Sequence, residues 1–301
     1  MQEKIIQKIK DLKKQRNAVI LVHNYQKQEI QEIADFTGDS LGLSREAAKT
    51  NADVIVFCGV HFMAETASIL NPNKKVLLPD LSSGCPMADM ITKEQLIQFK
   101  KENPQATVVT YINSTAEVKA ETDICCTSSN AINIVKSIKN DKIIFCPDRN
   151  LGSYVQKVLN KKLILWNGYC PTHMRILPEY VIKQKKKHPN ALFLAHPECQ
   201  PATVDLANEV LSTTGMLNYV SKSDKDEFII GTENEITFML QRKYPNKKFY
   251  TVTDLTVCPN MKKNSLEKVL YVLQEMKNEI KVRKDIANKA LIPIQKMLEI
   301  K

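Results

Sequence analysis

Of the Cys-Pro pairs in this chain, three stand in steps of 85 and 88 residues: Cys85-Pro86, Cys170-Pro171 and Cys258-Pro259. Proline fixes the backbone φ and removes an N–H donor beside the sulfur. A stiffened loop recurring at near-even spacing reads as one structural position occurring three times. Three thiols brought together could hold a soft metal centre. Structural zinc prefers four closed ligands, often supplied as C-x-x-C pairs, and no C-x-x-C occurs in this sequence. An iron-sulfur cluster suits thiolates, and a [4Fe-4S] cluster on three protein ligands leaves one iron open as a Lewis acid. The remaining alternative is three core cysteines carried along by a repeat.

Other polar residues recur at the same interval. Apolar runs of β character begin at Val19, Val108 and Leu192, and each ends in a polar triplet. The triplets are His23-Asn24-Tyr25, Tyr111-Ile112-Asn113 and His196-Pro197-Glu198. Each is followed by a helix-compatible stretch and then by a small hydroxyl cluster: Asp39-Ser40, Thr127-Ser128-Ser129 and Ser212-Thr213-Thr214. An amphipathic helix is expected to begin at each cluster. The later half of each unit reads strand, turn, helix, strand, loop and Cys-Pro.

Strands alternating with helices imply right-handed βαβ units and parallel sheets covered on both faces. The expected fold is α/β, built as three homologous αβα sandwich domains with parallel sheets in pseudo-threefold arrangement. The units are expected at 1–105, 106–190 and 191–264. Part of 265–301 is read as helix that closes the first unit. In such sheets ligands gather beyond the carboxyl ends of the strands. If those ends face inward, the triplets, the hydroxyl clusters and the cysteines converge near one axis.

Composition sets outer limits. The 301 residues suit two or three domains. The net charge of +10 is carried mostly by lysine, and no helix-turn-helix, zinc-finger or basic-aromatic pattern accompanies it. It is read as solvated surface that also attracts small anions, with no nucleic-acid partner. No run reaches the length of a membrane span, and the charged start lacks the apolar core of a secretory signal. The expected location is cytoplasmic, where the eight cysteines stay reduced.

Arginine is scarce, so anion binding is expected to use hydroxyls and backbone N–H groups at helix starts. Ser40, Ser128, Thr213 and Thr214 are the candidates, although N-capping is the ordinary role of such residues. Tyr25, Glu198, His23, His196 and Tyr111 are candidates for proton transfer. Asn113 and His173, three residues after Cys170, join the substrate-binding set with His23, Tyr111, His196 and Glu198. His61 and His188 are left out of the site.

The whole chain resembles the quinolinate synthase family, the iron-sulfur enzymes of NAD biosynthesis. The resemblance rests on HNYQ (23–26), ADFTGDS (34–40), GVHFMAET (59–66), CPMA (85–88), YINSTAEVKA (111–120) and CTSSNA (126–131). It continues through PDRNLG (147–152), CPTH (170–173), HPEC (196–199), STTGM (212–216), GTE (231–233) and CPNMKKN (258–264). It implies a central [4Fe-4S] cluster with three Cys ligands, Cys85, Cys170 and Cys258. It implies condensation of iminoaspartate with dihydroxyacetone phosphate to quinolinate, with loss of phosphate and water. A separate aspartate-oxidising enzyme would supply iminoaspartate and be a transient partner. The cysteine cluster that some members carry near the C-terminus is absent here.

Overall fold

The computed structural model describes residues 2–300. Twelve strands form three separate four-stranded sheets, all parallel. The first holds β1 (Ala18–His23), β2 (Phe36–Gly38), β3 (Val54–Cys58) and β4 (Lys75–Leu77) in the order β2-β1-β3-β4. The second holds β5 (Thr107–Tyr111), β6 (Ile124–Cys126), β7 (Ile143–Cys146) and β8 (Ile164–Leu165), ordered β6-β5-β7-β8. The third holds β9 (Leu192–Ala195), β10 (Glu209–Val210), β11 (Glu227–Gly231) and β12 (Lys248–Thr251), ordered β10-β9-β11-β12. One topology thus occurs three times, as the 85–88 residue interval requires.

The central strands carry near-continuous apolar runs because both faces of a parallel sheet are covered. The VIVFC run of β3 is buried throughout. The inward faces share one core, with Leu21, Ile55 and Phe57 from the first sheet, Val109 and Phe145 from the second, and Phe228 from the third. Burying one large apolar side chain contributes roughly 1.5–3 kcal/mol, so this shared core holds the three units together.

The outward faces are covered in a ring. Helix Lys93–Glu102 follows Cys85, and its Leu96 packs on Val108 and Ile144 of the second sheet. Helix Pro178–Lys187 follows Cys170, and its Val181 packs on Phe193 and Ile229 of the third. Helix Leu266–Glu275 follows Cys258, and its Val269 and Leu273 pack on Ile20 and Val56 of the first. Each Cys-Pro loop therefore hands a helix to the next sheet, and the last hands one back to the first.

The same ring is tied by hydrogen bonds from the residue five places after each cysteine. Met90 O accepts from Trp166 Nε1 at 2.8 Å. Arg175 donates to Leu255 O at 3.1 Å, and Lys263 Nζ to Ser82 O at 2.6 Å. Each bond joins one Cys-Pro loop to the stretch just before the next. Gly168, two residues before Cys170, serves the second loop: an added Cβ would lie 2.5 Å from Pro147 O.

The C-terminal tail divides between two places. Residues 277–283 are not helical, and Glu279 makes an isolated bridge to Leu77. The final helix, Lys284–Glu299, packs on β6 and on the short helix Ala116–Lys119 as well as on helix His61–Leu70. No helix among the described residues is long and apolar enough to cross a membrane.

Candidate active site

The carboxyl ends of the three sheets open on one cavity of about 270 Å³. Cys85, Cys170 and Cys258 all line it. So do His23, Tyr25, Tyr111 and Asn113, with His173, His196 and Glu198. Ser40, Ser128 and Thr213 line it as well.

Two strand ends build the same turn. Tyr25 N donates to His23 Nδ1 at 3.2 Å, and Glu198 N donates to His196 Nδ1 at 3.3 Å. An Nδ1 that accepts an N–H leaves the ring proton on Nε2. Burial lowers His23 to about 4. Burial, with the neighbouring His173 ring, lowers His196 to about 3. Both rings are therefore neutral near pH 7, each offering one N–H.

A hydrogen-bonded series crosses the repeats between Tyr25 and Glu198. Tyr25 Oη lies 2.7 Å from Thr232 Oγ1. Thr232 Oγ1 is 2.9 Å from His173 Nε2, and His173 Nδ1 is 2.7 Å from Glu198 Oε2. Burial pushes the Tyr25 phenol well above its usual range, and the Glu198 charge adds to this. Tyr111 is raised by the same two causes. Burial acts to raise Glu198 too, but His173, helped by a hydrogen bond from Tyr111, outweighs it and holds the carboxyl at about 2. One wall thus carries protonated phenols and an ionised carboxylate, the separation that assigns acid and base roles.

One end of the cavity is built at helix starts. Asp39 caps helix Ser40–Lys49 by accepting from Gly42 N at 2.9 Å. Ser212 caps helix Thr213–Lys222 by accepting from Gly215 N at 3.1 Å. Asn24 Nδ2 donates to Thr213 Oγ1 at 3.0 Å, leaving that hydroxyl's proton free. The second unit departs from the expected pattern. Its helix begins at Ala131, three residues past Ser128, because Thr127 N donates to Asn130 Oδ1 and closes a turn first. Thr214, expected beside Thr213 in the site, instead lines a second cavity beside Arg45 and Asn218. Successive helical residues are rotated by about 100°, so Thr213 and Thr214 cannot both face the site.

Burial pushes Cys85 up to about 12, and the nearby Cys258 adds to it. Cys170 is driven well above its usual range by burial and by Glu198, with Cys85 and Cys258 contributing. Cys258 is raised by burial and by Glu233. Three thiols close enough to repel one another as thiolates gain most from a shared cationic centre. The other five cysteines, at 58, 125, 126, 146 and 199, are buried and do not line this cavity. Glu198 Oε1 is buried without a hydrogen-bond partner, as is Asn113 Oδ1. The residues present therefore fit a cluster with room for a polar ligand. Donor atoms of Cys170, His173 and Glu198 also lie within 4.8 Å of one another, a set able to hold a metal ion.

Three positions in or beside the cavity carry no signal of their own in the sequence. Thr232 follows a strand, where threonine is ordinary. Asn24 stands out only as part of its triplet and Arg175 not at all, yet Arg175 lines the cavity. Comparing residues five after each cysteine would have drawn attention to Arg175.

The family model for "Quinolinate synthetase A protein" matches residues 7–299. The chain belongs to this family. Among members of the quinolinate synthetase A family, the chain is similar to the quinolinate synthase of Geobacter sp. (strain M21), at 56% identity over 299 residues, 99% of this chain and 98% of that protein. The protein of the same name from Thermodesulfovibrio yellowstonii is 52% identical over 301 residues, 100% of this chain and 99% of its own. The one from Methanosarcina barkeri is 50% identical over 300 residues, again 100% and 99%. Such coverage leaves no unit of this chain outside the quinolinate synthetase A family.

Proposed function

We propose that the chain condenses iminoaspartate with dihydroxyacetone phosphate to give quinolinate, with release of phosphate and water, as a transferase-type step of NAD biosynthesis. The observation that carries this reading is one cavity that takes a cysteine from each of three repeats and sets them beside a protonated phenol and an ionised carboxylate. Cys85, Cys170 and Cys258 would hold a [4Fe-4S] cluster. When bound, that cluster supplies an iron without a protein ligand, which polarises a substrate oxygen as a Lewis acid. The units divided near residues 105 and 190 each bring one ligand. The cytoplasm, where thiols stay reduced, is the matching setting.

The chain's own groups supply the rest. Tyr25 Oη is a proton donor, since its phenol stays protonated far above neutral pH. Glu198 is the acceptor, with Oε1 free of any partner. Neutral His23 and His196 offer N–H groups to carboxylate or phosphate oxygens. Ser40, Ser128 and Thr213 add hydroxyls, and Tyr111 and Asn113 close the wall. The supplying aspartate-oxidising enzyme would hand over iminoaspartate by transient contact.

Protein purified without oxygen tests the reading directly. About four irons with matching sulfide per chain are expected, and quinolinate should appear when dihydroxyacetone phosphate is given with enzymatically generated iminoaspartate. Zinc without sulfide, lost on changing His173, would favour a single ion on Cys170, His173 and Glu198 instead. Loaded protein that makes no quinolinate would overturn the activity.

The two threonines give a sharper expectation. Thr213→Val removes a hydroxyl on the cavity wall and should raise the substrate KM by up to about tenfold, the reach of one hydrogen bond. Thr214→Val should leave KM unchanged, because its side chain lines the other cavity. Steady-state kinetics on variants of equal iron content distinguish them.

A further inference from the structure

Tyr25 belongs to the first repeat, yet the third repeat holds it at both ends. Its phenol oxygen lies 2.7 Å from Thr232 Oγ1, and its backbone carbonyl accepts from Lys262 Nζ at 2.6 Å. We propose that Thr232 and Lys262 are positioning residues for Tyr25: Thr232 aims the phenol and Lys262 fixes the backbone that carries it. The inference rests on the proposed role of Tyr25 as proton donor.

Thr232 is the first residue beyond β11 and only 1% exposed. Its backbone has little freedom. An added Cβ at the preceding Gly231 would lie 2.6 Å from the Phe193 ring, so the strand end lies flat on that ring. A β-branched side chain on a fixed backbone has few rotamers. Its hydroxyl is shared between Tyr25 Oη and His173 Nε2, the latter at 2.9 Å. Without it, the phenol's remaining partner is His173 Nε2 at 3.4 Å, too long for a firm hydrogen bond to a hydroxyl.

Lys262 is held from behind. Glu233, fully buried, lies 3.1 Å from Lys262 Nζ, and Glu235 lies at 3.5 Å. Glu233 Oε1 also accepts the Cys258 N–H at 3.2 Å, while Oε2 accepts from Glu235 N at 2.9 Å. One carboxylate thus sets the third thiol and the ammonium that holds Tyr25 in a common frame. The carbonyls on either side of Tyr25 are taken by Gln31 Nε2, at 3.2 Å for Asn24 O and 2.7 Å for Gln26 O. Small misplacements of a reacting group can cost about 10²-fold in rate, which is the use of so many ties on one residue.

The test uses full-length, anaerobically loaded protein and two measurements. Thr232→Val keeps the shape and removes the hydroxyl; Thr232→Ser keeps the hydroxyl. The valine variant is expected to lose about tenfold or more in kcat, with KM within about twofold of wild type and iron content unchanged. The serine variant should recover most of the rate. A rate lost in the serine variant and kept in the valine variant would mean that the methyl group packs and the hydroxyl does not aim. A wild-type kcat in the valine variant would overturn the claim for Thr232 outright. Lys262→Met is read by amide hydrogen exchange across residues 24–26, whose N–H groups are bonded to His23 and Gly38. Exchange there should speed up by about tenfold, and unchanged exchange would overturn the claim for Lys262. If wild-type protein makes no quinolinate, the reading of function fails, while the exchange measurement still decides whether Lys262 holds Tyr25.

Discussion

Serine in place of Cys85, Cys170 or Cys258 is expected to abolish the cluster and with it all turnover. Each sulfur comes from a different repeat and lines the same cavity, so no neighbouring cysteine can substitute. The other cysteines are buried in the cores around the sheets: Cys58 in the first, Cys125 and Cys126 in the shared core, Cys146 in the second and Cys199 in the third. A serine oxygen is a harder and less readily ionised ligand than a thiol. Iron and sulfide assayed without oxygen should fall from about four atoms each per chain to near zero in these three variants. Cys58→Ala, Cys146→Ala and Cys199→Ala should retain the full content. A full, active cluster in any one of the three serine variants would show that its cysteine is not a ligand.

Removal of the acid or the base should lower turnover next most. General acid-base groups contribute roughly 10²–10⁴-fold, so Tyr25→Phe and Glu198→Gln should each reduce kcat within that range while the cluster stays intact. The directions of their shifts add a pH expectation. The Tyr25 phenol is held above its usual value, so it stays protonated through neutral and mildly alkaline pH. The Glu198 carboxyl is held at about 2, so it stays ionised well below neutral pH. Neither group should then produce a limb in the kcat profile between about pH 5 and 9. A limb in that window that vanishes in Tyr25→Phe or Glu198→Gln would show that the group titrates there and change its assigned role. Near-normal kcat in both variants would move the acid-base work to His23 or His196.

Much of this site was legible because it is written three times. A single Cys-Pro pair carries no message, but three at steps of 85 and 88 residues identify a loop that repeats. The triplets at His23, Tyr111 and His196 were found in the same way, as polar residues where apolar runs stop. Parallel sheets place such residues on a common side, so topology alone sends them to one end. The hydroxyl clusters were less legible. Thr213 and Thr214 are adjacent and chemically identical, and only the phase of the helix tells them apart. Ser128 was expected at a helix start, yet the Thr127–Asn130 turn delays that helix to Ala131.

The sequence by itself determined the fold class, the threefold recurrence and the cysteines that stand apart from the rest. Those features depend on periodicity and local backbone preference, which neighbouring residues encode. Only the tertiary structure decided that each repeat's last helix covers the next repeat's sheet, and that Thr232 stands between Tyr25 and His173. Tyr25 and Thr232 are 207 positions apart, and Tyr25 and His173 are 148 apart. No local pattern links residues so separated. They meet because three separately encoded sheets share one core, and the fit of that core sets where each side chain ends.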